Sequence, residues 1–189
     1  MTPKILAVCC AMFICAGVSA GAAPVPPERT AVGADIGSTA AGAFMGAVAA
    51  SFTLELPLSR AWAIDIEPSF YWASGTGTSI LQINAEALAR FYLVSLFVDD
   101  QTRTVQWGPF VAAGAIAAWG YAQGDSTITV LALGPAIRAG YRFIFGDAGI
   151  FVEPSVGFMA LFGGQFAPAG ASSSMNTGLT LGLIVGWRF

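Results

Sequence analysis

The chain has no histidine in its 189 residues. Ser–His hydrolysis and His-ligated metal sites are therefore excluded. Charge is scarce as well: only 10% of residues are charged. A soluble domain carries about 25%. Lysine is confined to Lys4, and the three cysteines, Cys9, Cys10 and Cys15, all lie near the start. Removal of a leader ending at residue 20 leaves no thiol, so no disulfide or thiol chemistry is expected. The same cut leaves seven arginines against eleven acids, a formal charge of 7 − 11 = −4. No basic patch forms, and nucleic acid is not an expected partner. No metal or cofactor is expected either. Carboxylate pairs such as Asp65 and Glu67 could do acid–base work. Neutralisation by neighbouring arginines is the simpler reading, and the chain is not expected to be an enzyme.

What is present points to lipid as solvent. The chain is 56% hydrophobic, with a mean hydropathy of +0.70 and 23 glycines. So much glycine disfavours long regular helices and suits turns and closely packed strands. Residues 1–20 read as a secretory signal peptide. Lys4 supplies the positive start, Ile5 to Gly17 the apolar stretch, and Val18-Ser19-Ala20 the small-residue cleavage site. Gly21-Ala22-Ala23 is a second, less favourable site. Val8 and Ile14 precede Cys9 and Cys15 where a lipoprotein signal needs a small residue, so lipidation is not expected. Residues 21–29 then form a short N-terminal segment, and 30–189 form one domain.

That domain alternates at period two, the mark of strands with two different environments. In 177–189 the odd positions are Leu179, Leu181, Leu183, Val185, Trp187 and Phe189. The even positions are small or polar, with Ile184 as the exception. Turn signals divide the domain into eight candidate strands at 31–38, 44–56, 62–72, 80–97, 104–121, 128–145, 149–163 and 177–189. The first could instead join 44–56 as one kinked strand. Breaks at 57–61, 98–103 and 146–148 read as tight turns, and those at 39–43, 73–79, 122–127 and 164–176 as longer loops. Transmembrane barrels place short turns on the periplasmic side, which is consistent with eight strands. The expected fold is all-β, an eight-stranded antiparallel up-and-down transmembrane β-barrel. A helical reading rests on 104–124, uncharged and long enough to span, but broken by Pro109 and four glycines.

The alternation places Asp35, Glu55, Asp65, Glu67, Glu86, Arg90, Arg138, Arg142, Glu153 and Arg188 on the face turned from lipid. A lipid-facing charge at mid-membrane costs about 2–4 kcal/mol, so this sorting is physically required. An eight-stranded barrel is filled by its own side chains, and charges inside it must pair. A turn on Asp147-Ala148 would set Arg142 directly opposite Glu153. Arg90, Arg138, Asp65 and Glu67 could add a second layer, with Glu86 alongside. Such a network is read as a plug that holds the lumen closed. The competing reading is a polar filter or gate for a small solute. Phe110, Ile116, Met159 and Leu161 are expected in the outer half of the lumen, as filling or as a hydrophobic pocket.

Aromatics cluster at strand ends. Trp62, Tyr141, Phe143, Phe145, Trp187 and Phe189 would mark one membrane interface, and Phe44, Phe70, Trp72, Trp119, Tyr121 and Phe162 the other. Pro68, Pro109, Pro135 and Pro154 fall within strands, where proline removes a ladder hydrogen bond. Bulges are expected at all four.

The alternation, the glycine-rich strands, the two Glu-Pro-Ser segments at 67–69 and 153–155, and the final Gly186-Trp187-Arg188-Phe189 resemble small bacterial outer-membrane barrels of the OmpX, OmpW and OmpA-transmembrane type. The resemblance implies residence in the bacterial outer membrane, lipid as the permanent partner, and the barrel-assembly machinery as a partner in biogenesis. Val185, Trp187 and Phe189 would be the apolar positions of the assembly signal, although Ile184 replaces its usual glycine. The resemblance implies a structural or surface-interaction role, with a host or surface ligand unidentified. Its alternatives are an OmpW-like narrow channel for small or hydrophobic solutes and a surface adhesin.

Overall fold

The computed structural model describes residues 29–98, 106–145, 149–168 and 170–189. The expected signal peptide lies outside the described residues. Eight antiparallel strands close into one barrel in sequence order. They are β1 (Ala31–Asp35), β2 (Ala47–Pro57), β3 (Trp62–Gly75), β4 (Thr78–Tyr92), β5 (Gly108–Gln123), β6 (Thr127–Phe145), β7 (Ile150–Ala167) and β8 (Gly170–Arg188). Pairing of β1 with β8 completes the ring. Among the described residues no helix is long and apolar enough to cross a membrane. The apolar run after residue 104 instead supplies β5, whose alternation turns Phe110, Ala112, Ile116 and Ala118 inward.

The two faces of the wall differ as the period-two pattern requires. Large apolar side chains stand exposed on the outside, among them Trp62, Trp72, Leu131, Phe158, Leu181 and Trp187. Glu55, Asp65, Glu67, Arg90, Arg142 and Glu153 are buried inside. This inversion of a soluble domain is the main physical fact of the fold. Ile184, the apparent exception in β8, is buried against Ala31 and Phe151 and fills the lumen near the chain end.

Several boundaries differ from the sequence expectation. The first candidate strand stops at Asp35, and Ile36–Phe44 form a helix, α1. The Asp35 carboxylate caps it by accepting from the Gly37 and Ser38 N–H groups, so the chain leaves the sheet there. Residues 93–97 were expected to continue β4. Leu93–Leu96 instead form a 3₁₀ turn, and β5 does not begin until Gly108. The apolar residues of this segment alternate briefly, but Val94 and Val98 pack under the core around Tyr92 and Phe110. The tight turn expected at 98–103 lies, from residue 99 on, outside the described residues.

The opposite end also differs. β3 runs to Gly75 and β4 starts at Thr78, while β7 runs to Ala167 and β8 starts at Gly170. The expected loops at 73–79 and 164–176 are mostly hairpin strand. Their Ser, Thr, Gly and Ala content resembled loop composition, but the ladder continues through them from Phe166↔Ala171 to Ala160↔Thr177. Below, "lower" means the end with Tyr92 and Phe189, and "upper" the end with these hairpins.

The prolines make no bulges. Register stays constant along every strand pair, from Ala47↔Ala73 to Pro57↔Ala63 and from Thr129↔Phe166 to Phe145↔Ile150. Pro68, Pro135 and Pro154 instead sit where pairing with one neighbour lapses for two residues and then resumes in register. Pro109 lies below the last β4–β5 pair, Tyr92↔Phe110. A missing N–H thus costs a local bond and does not shift the strand.

Candidate functional site: two ion clusters in the lumen

Five strands deliver the lower cluster. Arg90 and Tyr92 come from β4, Arg142 from β6, Glu153 from β7, and Glu55 and Asp65 from β2 and β3. The sequence-derived register of β6 and β7 is the observed one, since Gly140 faces Ser155 and Ile144 faces Phe151. The turn residues 146–148 lie outside the described residues. Arg142 Nε donates to Glu153 Oε2 at 2.8 Å and its Nη1 to Glu55 Oε1 at 2.9 Å. Its Nη2 lies 2.9 Å from Glu55 Oε2 and 2.7 Å from Glu153 Oε2. The angles there are too poor for hydrogen bonds, so Nη2 acts as a close charge.

Arg90 is held from three sides. Its Nε donates to Asp65 Oδ2 at 2.6 Å, and Nη1 and Nη2 clasp the two Glu153 oxygens at 2.6 and 2.8 Å. Fork-to-fork pairing of this kind is the strongest ordinary ion-pair geometry. Tyr92 donates its hydroxyl to Glu55 Oε2 at 2.7 Å and accepts from Arg90 Nη1 at 3.2 Å. The two guanidiniums also stack on aromatic rings. Arg90 Cζ sits 4.0 Å from the Phe110 centroid, and Arg142 Cζ 4.2 Å from that of Phe151. Glycine makes room for both rings. A Cβ at Gly140 would lie 2.7 Å from the Phe110 ring, and one at Gly186 would collide with Phe151.

All five charged members are fully buried. Two guanidiniums face three carboxylates, so the formal sum is 2 − 3 = −1. Asp65 Oδ1 is the open valence, buried with no hydrogen-bond partner among the described residues.

The upper cluster is smaller. Arg138 Nη1 donates to both oxygens of Glu67, at 2.5 and 2.6 Å, and Nη2 to Glu86 Oε2 at 2.8 Å. Its side chains keep 7–13% exposure, against none in the lower cluster. Above it lies a cavity of about 250 Å³, with Ser51, Ser69, Asn84 and Thr180 among its polar walls and Ile116, Met159 and Leu181 among its apolar ones.

All seven proposed network residues, Asp65, Glu67, Glu86, Arg90, Arg138, Arg142 and Glu153, thus sit in the lumen. They form two clusters and not one layered set. Glu55 is an unexpected member, although its inward parity was plain. Tyr92, Phe110 and Phe151 were not foreseen in this role. Phe110 belongs to the lower half, under Arg90, and not to the outer half as expected. Among the assembly-signal positions, Trp187 and Phe189 stand exposed at the lower end of β8.

No family model, no curated protein and no solved structure matches the chain.

Proposed function

We propose that the protein is an integral bacterial outer-membrane β-barrel, of the general type of OmpX, OmpW and the OmpA transmembrane domain, with a plugged lumen and a structural or surface-interaction role. One observation carries this reading: the exposed outer wall is apolar, while paired charges fill the inside. In water that arrangement would leave large apolar side chains unburied and desolvate ions without need. In lipid both placements are favourable. Under this reading lipid is the permanent partner. Val185, Trp187 and Phe189 present the strand that the assembly machinery engages, and the upper hairpins face outward, where a host or surface ligand would meet them. No catalytic activity is assigned.

The lower cluster favours a plug over a filter. Each guanidinium bridges carboxylates from different strands, so an opening would break several buried pairs together. Two measurements test the reading. Cell fractionation should place the exported chain with the outer membrane. Planar-bilayer recording of the refolded chain, with insertion shown by heat-modifiable gel mobility, should be silent. Discrete conductance steps that change in Arg142→Ala would replace the plug with the narrow-channel alternative.

A further inference from the structure

The barrel wall is incomplete in its upper half. β1 pairs with β2 only through Ala31–Ala34 and with β8 only through Ala31–Asp35. Above Asp35, β8 from Gly170 to Leu183 and β2 from Ala47 to Ser51 have no strand between them. A missing strand leaves two strand spacings, about 9.5 Å. α1 occupies part of that slot. Its nine residues rise about 13 Å as helix, where a strand of the same length would run about 30 Å. The β8 strand runs on well above the helix, so its upper edge stays uncovered.

The β8 edge shows the consequence. The Leu183 N–H points into the slot and donates to the Asp35 carboxylate at 3.0 Å. Alternation directs the backbone groups of Leu181 and Leu179 the same way. No backbone hydrogen bond reaches them from α1 among the described residues. Their side chains are the barest large ones of β8, 80% and 77% exposed. Directly behind this edge lies the 250 Å³ cavity, bordered by Asp35 and Ser38 on one side of the slot and by Thr180 and Leu181 on the other.

We propose that this slot and cavity form a dead-end binding site for a membrane-borne single-chain amphiphile with an ammonium head. The proposal rests on the membrane reading above. The cavity is smaller than the roughly 300–1,000 Å³ of a whole-ligand pocket. It holds a head group, and the slot lets the tail remain in lipid. The floor selects charge. Glu67 and Glu86 face one guanidinium, Arg138, which leaves one carboxylate charge in excess. Hydroxyls of Ser38, Ser51 and Thr180 supply acceptors for N–H groups. The ion clusters close the route downward, so the ligand is held and not passed through.

The test uses the full chain, with Cys9, Cys10 and Cys15 changed to Ser, refolded into phosphatidylcholine vesicles and recovered by flotation. Radiolabelled dodecylamine is titrated against empty vesicles, with dodecanol and dodecyl sulfate as competitors. The expected result is one saturable site per chain, with dodecanol competing more weakly than unlabelled amine and sulfate not at all. Thr180→Trp, which fills the cavity, should weaken binding at least tenfold. Glu86→Gln should abolish the preference for amine over alcohol. A reversible staple gives a second control. An added Cβ at Gly37 would stand 3.4 Å from that of Leu183, close to disulfide geometry. Oxidised Gly37→Cys/Leu183→Cys should keep binding, because the staple fixes a contact between α1 and β8 that the open slot already contains. Non-saturable uptake, equal binding of sulfate, insensitivity to Thr180→Trp, or loss of binding in the oxidised staple would overturn the site. A chain that does not float with vesicles would overturn the membrane reading itself.

Discussion

Arg142→Ala is the sharpest perturbation of the proposed plug. The wild-type guanidinium approaches Glu55 and Glu153 at four distances between 2.7 and 2.9 Å, all from fully buried side chains. Truncation leaves Arg90 alone against three carboxylates, so the formal charge of the cluster moves from −1 to 1 − 3 = −2. It also strips Phe151 of its stacked cation. Removing one partner of a buried ion pair costs about 3–5 kcal/mol, and this arginine serves two carboxylates. We expect a loss of that size in barrel stability, read as the shift in urea midpoint of the heat-modifiable band at constant slope. Adding Glu153→Gln should then cost less than the sum of the two single changes, because the first has already removed one of the two arginines that pair with Glu153. A loss below about 1 kcal/mol, the range of solvent-exposed pairs, would refute the reasoning. It would mean that water reaches the lower cluster and that the lumen is not plugged there.

Four further outcomes follow from the same geometry. Asp65→Asn should stay within about 1 kcal/mol of the parent, since Asn can still accept from Arg90 Nε and the change brings the cluster to zero charge, whereas Glu153→Gln should cost about 3–5 kcal/mol; equal urea midpoints for the two variants would contradict this. Tyr92→Phe should cost about 1.5–3 kcal/mol in the same assay for the lost bond to Glu55. Gly140→Ala should cost about 1–3 kcal/mol, because its Cβ would press on the Phe110 ring and the Pro154 carbonyl. Deleting Phe189 should lower the amount of barrel in outer membranes of cells and leave refolding into vesicles in vitro unchanged; an equal defect in both would assign the residue to stability and not to assembly.

The lumen was legible because a wall with an apolar outside and a polar inside enforces period two on every strand. The parity of Glu55, Asp65, Arg90, Arg138, Arg142 and Glu153 follows from it directly, and the β6–β7 hairpin length sets Arg142 against Glu153. Partition into two clusters was not legible. It depends on the stagger between distant strands, which local pattern does not encode: Arg90 on β4 reaches Glu153 on β7 across the lumen. Composition misled where chemistry and position part company. Ser172-Ser173-Ser174 has the content of a loop, yet it pairs with Gly163-Gly164-Gln165 as hairpin strand. Leu93-Val94 has the content of a strand, yet those residues turn under the barrel. A local cue for α1 was present in Asp35-Ile36-Gly37-Ser38-Thr39, a cap residue ahead of small ones, but the alternation before it masks where the strand ends.

The short β1 and the ion clusters are connected physically. A barrel removes sheet edges only while every strand is full length, and here the ring is complete only beside the lower half. That half holds the cluster with no exposed charge, Arg90 and Arg142 with three carboxylates. The upper cluster stands level with the part of the wall where β1 has ended, and it keeps measurable exposure. The same substitution should therefore cost less above than below, because a solvated or head-group-lined cavity screens what the closed ring cannot. Arg138→Ala against Arg142→Ala measures the difference directly. An equal loss would mean that α1 seals the upper wall as well as a strand would, and that the slot beside it is closed.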